Sequence, residues 1–136
     1  MRVLIIDDNK ADVYIIQGIL DSLPHLSIQS VVINSGTDAI DYLLKRSPYK
    51  NVPDPDLIIL DLNLPGHSGL DILSIMKKND MLIPVVVYTT SDREQDVKKA
   101  YGLRANSYIV KPSDYKEIER VLKLVGEFWL NCVKLP

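Results

Sequence analysis

Five short apolar runs, each set off from the next by a longer amphipathic stretch, constrain this chain more than any other feature. They cover residues 3–6, 28–33, 57–60, 85–88 and 108–110. Three of them are continuously apolar and rich in Val and Ile, as expected of parallel strands covered on both faces. The stretches between them carry helical periods. Val13, Ile16, Leu20 and Leu23 repeat at steps of three and four, as do Ala39, Ile40, Leu43 and Leu44, with a shorter stripe of Leu70, Leu73 and Met76. Ser91 with Glu94 reads as a capping box opening a fourth helix, thinly apolar through Val97, Ala100 and Tyr101. Asp114 with Glu117 opens a fifth, whose apolar residues are Ile118, Val121, Leu122, Val125 and Trp129.

Strand and helix alternating five times predict an α/β fold: a single (βα)5, flavodoxin-like, doubly wound domain with a five-stranded parallel sheet. A chain of 136 residues holds one such domain. The expected division is a core over 2–127 and a C-terminal helix extension and tail over 128–136. The prolines Pro48, Pro53 and Pro55 stiffen the loop over residues 47–56, whose acids Asp54 and Asp56 read as solvated charges.

Sixteen Lys and Arg against eighteen Asp and Glu leave a net charge of −2, which argues against a dedicated nucleic-acid binder. No run approaches the ~20 apolar residues of a membrane span. The N-terminus meets Asp7 and Asp8 after four apolar residues, too few for a secretory signal. One cysteine, Cys132, allows no internal disulfide. A cytoplasmic protein that engages neither nucleic acid nor membrane is the expectation.

In an open parallel sheet, ligands bind at the carboxyl ends of the strands. The first strand ends in Asp7-Asp8, the third in Asp61 followed by Leu62-Asn63-Leu64-Pro65-Gly66, the fourth in Thr89-Thr90 and the fifth in Lys111-Pro112. Taken singly, each has an ordinary reading as a helix cap or a solvated polar group. Three carboxylates within reach of one another are different. At ~4 Å each pair costs about 1 kcal/mol in water and about 4 kcal/mol at an effective dielectric of 20. Such a cluster holds a proton or a cation. Its ligands are all oxygens, with no Cys and no His pair nearby, which disfavours zinc and suits Mg²⁺. Lys111 reads as an exposed ammonium whose loss costs little stability.

Asp7-Asp8, Asp61 in Asp-Leu-Asn-Leu-Pro-Gly, Thr89 after Val85-Val86-Val87-Tyr88, and Tyr108-Ile109-Val110-Lys111-Pro112 together resemble the receiver domain of two-component response regulators. The resemblance runs from Val3 to about residue 130. It implies that Asp61 accepts a phosphoryl group from the histidine of a sensor kinase. Asp7, Asp8 and Asp61 would hold Mg²⁺ together with the backbone carbonyl of Asn63. Thr89 and Lys111 would bind phosphoryl oxygens, Thr89 and Tyr108 would form the conformational switch, and the Lys111–Pro112 bond would be cis. Asn63 and Ser91 stand where this family tunes the lifetime of the phosphoryl group. Arg104 departs from the family pattern, which commonly has glycine before the alanine. His25 and His67 read as solvated loop histidines. The proline-bearing loop and the C-terminal ending resemble the small stand-alone regulators that partner bacterial phytochromes. No output domain fits in the 25 residues after Lys111.

Two other classes fit less well. A phosphatase of the haloacid dehalogenase type also uses a strand-end aspartate, but it needs a second acid where this chain has Asn63, and it needs a substrate cap. A flavin-binding flavodoxin would offer hydroxyls and amides to a phosphate, whereas Asp7-Asp8-Asn9 repels one. Finally, Leu124, Phe128 and Leu130 fall outside the inward stripe of the fifth helix. This surplus predicts a homodimer through the surface of helix four, strand five and helix five.

Overall fold

The computed structural model describes all 136 residues, and the alternation of the sequence is its architecture. Strands β1 (Arg2–Ile6), β2 (Gln29–Ile33), β3 (Leu57–Leu60), β4 (Val85–Thr89) and β5 (Ser107–Val110) alternate with helices α1 (Lys10–Asp21), α2 (Gly36–Leu43), α3 (Gly69–Lys78), α4 (Glu94–Gly102) and α5 (Tyr115–Glu127). The strands form one parallel sheet in the order β2-β1-β3-β4-β5. Strands β1, β3 and β4 are buried nearly throughout, which is why they read as unbroken apolar runs.

Period-two alternation along those strands divides the core in two. Leu4, Ile6, Ile58, Leu60, Val85 and Val87 face α2, α3 and the Ala100 side of α4. Val3, Ile5, Leu57, Ile59, Val86 and Tyr88 face α1 and α5. Each helix delivers its stripe: Val13, Ile16, Ile19 and Leu20 from α1, Ala39, Ile40 and Leu43 from α2, Ile72, Leu73 and Met76 from α3, and Leu122 and Val125 from α5. Ile72, not part of the sequence stripe for α3, is fully buried, whereas Leu70 only packs against the margin of the core.

Caps fix where helices begin. Asn9, Ser35 and Asp114 each accept the backbone N–H three residues on, and Ser68 with Asp71 completes a capping box. α4 differs from its sequence reading. Arg93 stands at its N-cap without a side-chain cap, and the Ser91 hydroxyl instead donates to Asp96 Oδ2 at 2.6 Å. The helix begins at Glu94, two residues later than a Ser91 cap requires, and the Ser91 hydroxyl is free to donate to the Asp96 carboxylate in a charge-assisted bond.

At the other end of α5 the helix passes into a π-helical turn, Phe128–Cys132, in which the Val133 N–H donates to the Phe128 carbonyl five residues back. One extra residue per turn shifts the register. Leu130, assigned outward by 3.6-residue periodicity, is therefore buried, while Trp129 packs only against the margin of the core. Leu124 and Phe128 stay outside, 55% and 50% exposed.

The loop before β3 is anchored, not merely solvated. Tyr49 packs on Tyr42, the Arg2 N–H donates to Asp56 Oδ2 at 2.7 Å, and Lys45 pairs with Asp54. The cis peptide bond of the chain lies in this loop, at Ser47–Pro48; Lys111–Pro112, expected to be cis, is trans. A proline amide prefers trans by only about 0.5–1 kcal/mol, so its surroundings choose the isomer, not the dipeptide. Arg104 adopts φ 70°, a left-handed conformation that costs other residues more than glycine, and its guanidinium lies 3.4 Å from Asp80. His25 and His67 lie beside carboxylates, those of Glu127 and Asp71. No helix is long and apolar enough to cross a membrane.

Candidate functional site

The sheet hydrogen bonds run on past the strands and set the first two acids in place. The Asp7 N–H donates to the Ile33 carbonyl and the Asp61 N–H to the Ile6 carbonyl, so both residues extend their strands by one position. Each side chain then folds back on its own loop. Asp7 Oδ1 accepts the Asn9 N–H at 2.9 Å, and Asp61 Oδ1 accepts the Asn63 N–H at 3.3 Å. This local closure suits Asp at a turn. Both carboxylates are buried, and Asp8 beside them is exposed.

Close backbone approach completes the β3 side. A Cβ on Gly69 would lie 2.4 Å from the Asp61 carbonyl oxygen, so only glycine lets the first turn of α3 sit against this loop. Gly66, at φ 79°, turns the chain between them.

Asp7, Asp8 and Asp61 each offer a carboxylate oxygen, and the three oxygens lie within 4.8 Å of one another. That donor set, all oxygen with one side open to solvent, fits a hard divalent cation that keeps part of its water.

Lys111 enters from β5. Its ammonium group donates to Oδ2 of Asp12 at 2.8 Å, of Asp7 at 2.9 Å and of Asp61 at 3.3 Å, and its side chain is only 7% exposed. It also lies 5.6 Å from the centre of the Tyr88 ring. The exposed ammonium read from the sequence is thus a buried hub, because its head is enclosed by three acids and lies near the Tyr88 ring of β4.

Burial raises the pKa of Asp7, and the Asp61 charge adds to that, against the bonds from Lys111 and the Asn9 N–H. Burial alone would lower the pKa of Lys111, but bonds to Asp12 and Asp7 and the charge of Asp61 more than reverse it, and the pKa is raised. The ammonium therefore stays charged. Burial, reinforced by the nearby Asp12 charge, pushes the Tyr88 phenol up to about 12.

Thr89 ends β4 at the same edge of the sheet. It is fully buried, and its hydroxyl has no hydrogen-bond partner. An unpaired buried hydroxyl costs about 1–3 kcal/mol. Tyr108 stands further along, its hydroxyl donating to the Ser91 carbonyl at 2.8 Å in the loop after Thr89.

The structure gathers Asp7, Asp8, Asp61 and Lys111 into one cluster at the carboxyl edge. Asp12 and Tyr88 belong to the same cluster, and the sequence does not single them out. Asp12 sits in the first turn of α1, where an acid ordinarily complements the helix dipole, and that signal does not distinguish it.

The response regulator receiver domain matches residues 3–123 of the chain. This chain belongs to that family. Among individual receivers, the response regulator Rcp1 of Synechocystis is 37% identical over 136 residues, spanning 98% of this chain and 92% of Rcp1. The crystal structure of Mn²⁺-bound Rcp1 superposes with a TM-score of 0.95 at 36% identity, covering 99% of this chain and 98% of the other. That of the phosphorylated cyanobacterial phytochrome response regulator RcpA gives 0.92 at 37% identity, with 99% and 97% covered. The receiver fold and its place in two-component signalling follow.

Proposed function

We propose that this receiver takes a phosphoryl group from the histidine of a sensor kinase onto Asp61, with Mg²⁺ bound by Asp7, Asp8, Asp61 and the Asn63 carbonyl. One observation carries the reading: three carboxylates and a buried ammonium meet at the carboxyl edge of the sheet, where Thr89, with its unpartnered hydroxyl, ends the neighbouring strand β4. When bound, Mg²⁺ supplies charge that offsets the repulsion between carboxylate and phosphoryl group. An Asp61 oxygen attacks phosphorus in line, forming the O–P bond. The N–P bond to the kinase histidine breaks, and its electron pair returns to the imidazole. Lys111 and the Thr89 hydroxyl then donate to the equatorial oxygens. Thr89 moves toward its new acceptor, and Tyr108, tied to the Ser91 carbonyl, follows. The chemistry is the domain's own phosphorylation and dephosphorylation, without a separate substrate.

Further parts of the reading rest on the relatives and on the surface. Resemblance to phytochrome regulators favours a phytochrome-linked kinase. Residues 1–136 act as one receiver domain in the cytoplasm. The β5–α5 groove, about 670 Å³ and lined by Tyr108, Val110, Val121, Leu124, Phe128 and Trp129 among others, serves a homodimer whose affinity follows phosphorylation.

Acetyl phosphate or a cognate kinase with Mg²⁺ should label the parent protein, and Asp61→Ala should abolish the label. EDTA and Asp8→Ala should block it as well. Undiminished labelling of Asp61→Ala removes the assignment.

A further inference from the structure

Lys111 has three N–H donors, and in the resting protein each points at a different carboxylate. Two of those acceptors, Asp7 and Asp61, belong to the trio that fits a divalent cation; Asp12 does not. Asp12 nevertheless makes the shortest of the three contacts, from another element, and is 30% exposed where Asp7 and Asp61 are almost fully covered. When a cation engages Asp7 and Asp61, and phosphorylation removes the charge of Asp61, Asp12 is the carboxylate left to compete for the ammonium. An incoming phosphoryl group meets two effects of the same sign there. Lys111 has to be shared with Asp12, and the Asp12 charge repels the anion directly.

We infer that Asp12 is a positioning residue: it holds Lys111 in the resting state and so restrains the affinity of the site for a phosphoryl anion. The inference rests on the phosphoacceptor reading above and adds to it a residue outside the metal and phosphoryl ligands. Asp12 sets the balance between resting and phosphorylated forms without touching the phosphoryl group. Asparagine at this position keeps an acceptor oxygen for Lys111 and removes only the charge, whereas glutamate keeps the charge.

The test uses beryllofluoride as the phosphoryl mimic, with binding followed by calorimetry at saturating Mg²⁺ for the parent protein, Asp12→Asn and Asp12→Glu. Asp12→Asn should bind about fivefold more tightly, a factor in keeping with a partly exposed ion pair, and Asp12→Glu should stay near the parent. Thermal melting of each variant checks that all are folded. In a Lys111→Ala background the gain from Asp12→Asn should shrink to less than half. Unchanged or weaker binding by Asp12→Asn overturns the inference, and a gain that persists in full without Lys111 overturns the role of the lysine in it. Failure of the parent itself to bind beryllofluoride would instead strike the phosphoacceptor reading.

Discussion

The carboxyl edge of the sheet and the β5–α5 groove break the usual division between inside and outside in opposite senses. At the carboxyl edge the chain buries charge: Asp7, Asp61 and Lys111 are nearly without solvent. Along β5 and α5 it exposes apolar surface, with Leu124 and Phe128 about half open. The first exception is balanced from within, because Lys111 meets three carboxylates from three elements. The second has no partner inside the chain. Buried charge without an internal counter-charge would cost the fold several kcal/mol, whereas an exposed apolar groove costs the monomer little and favours a second surface. The difference separates an acidic site whose oxygens fit a hard cation from an apolar groove without a partner in the chain.

The largest effect that can break this comparison lies at Lys111. Lys111→Ala leaves Asp7 and Asp61 buried without their cation, and in EDTA it should lose about 3–5 kcal/mol of stability in urea unfolding. Mg²⁺ should restore part of that loss. A variant that unfolds like the parent would mean the ammonium is not the balancing charge.

Next is Tyr88, beside the same ammonium. Its folded pKa is raised from 10.0 to about 12, so the phenol contributes stability that is fully present below pH 10 and lost as pH rises to about 12. Between those limits the parent should lose about 2 kcal/mol more than Tyr88→Phe, somewhat below the full linkage value because the neighbouring Asp12 charge is open to solvent and screened. Lys111 titrates in both proteins and cancels from the difference. Equal alkaline unfolding curves would place Tyr88 outside the charged network.

Thr89→Val tests the unpartnered hydroxyl. Removing it should raise stability by about 1 kcal/mol while abolishing the near-ultraviolet response of the aromatic groups to beryllofluoride. A destabilised variant would show that the hydroxyl already has a partner in the resting protein.

The smallest effect on folding, and the one that sharpens the contrast, is at the groove. Phe128→Asp should change monomer stability by no more than about 0.5 kcal/mol, yet light scattering should show the loss of any dimer that the parent forms. A parent that is monomeric with and without beryllofluoride would leave the groove to a different protein.

Topology makes some of the site legible from the chain alone. Five apolar runs dictate five strands, a parallel sheet sends their carboxyl ends to one edge, and the residues that follow each run must meet there. Asp7, Asp8, Asp61, Thr89 and Lys111 could be read in that way because each ends a strand or follows one within two residues. The two faces of the core were equally open to reading, since alternation along a buried strand and a 3.6-residue stripe on a helix are properties of sequence.

Elsewhere the answer depended on which of several acceptors or registers wins in three dimensions. Ser91 does not cap α4 because the helix starts at Glu94, and its hydroxyl donates to the Asp96 carboxylate instead. A π-turn moves Leu130 inward and leaves Trp129 at the margin, a shift of one residue that periodicity cannot register. Asp12 joins Lys111 across 99 positions of sequence, and nothing near either residue announces the other. Sequence by itself determined which groups reach the carboxyl edge, because backbone hydrogen bonding and alternation are local. Only the tertiary structure decided how Lys111 is shared among Asp7, Asp12 and Asp61, because that depends on distances set by the packing of α1 and β5 around the central strands.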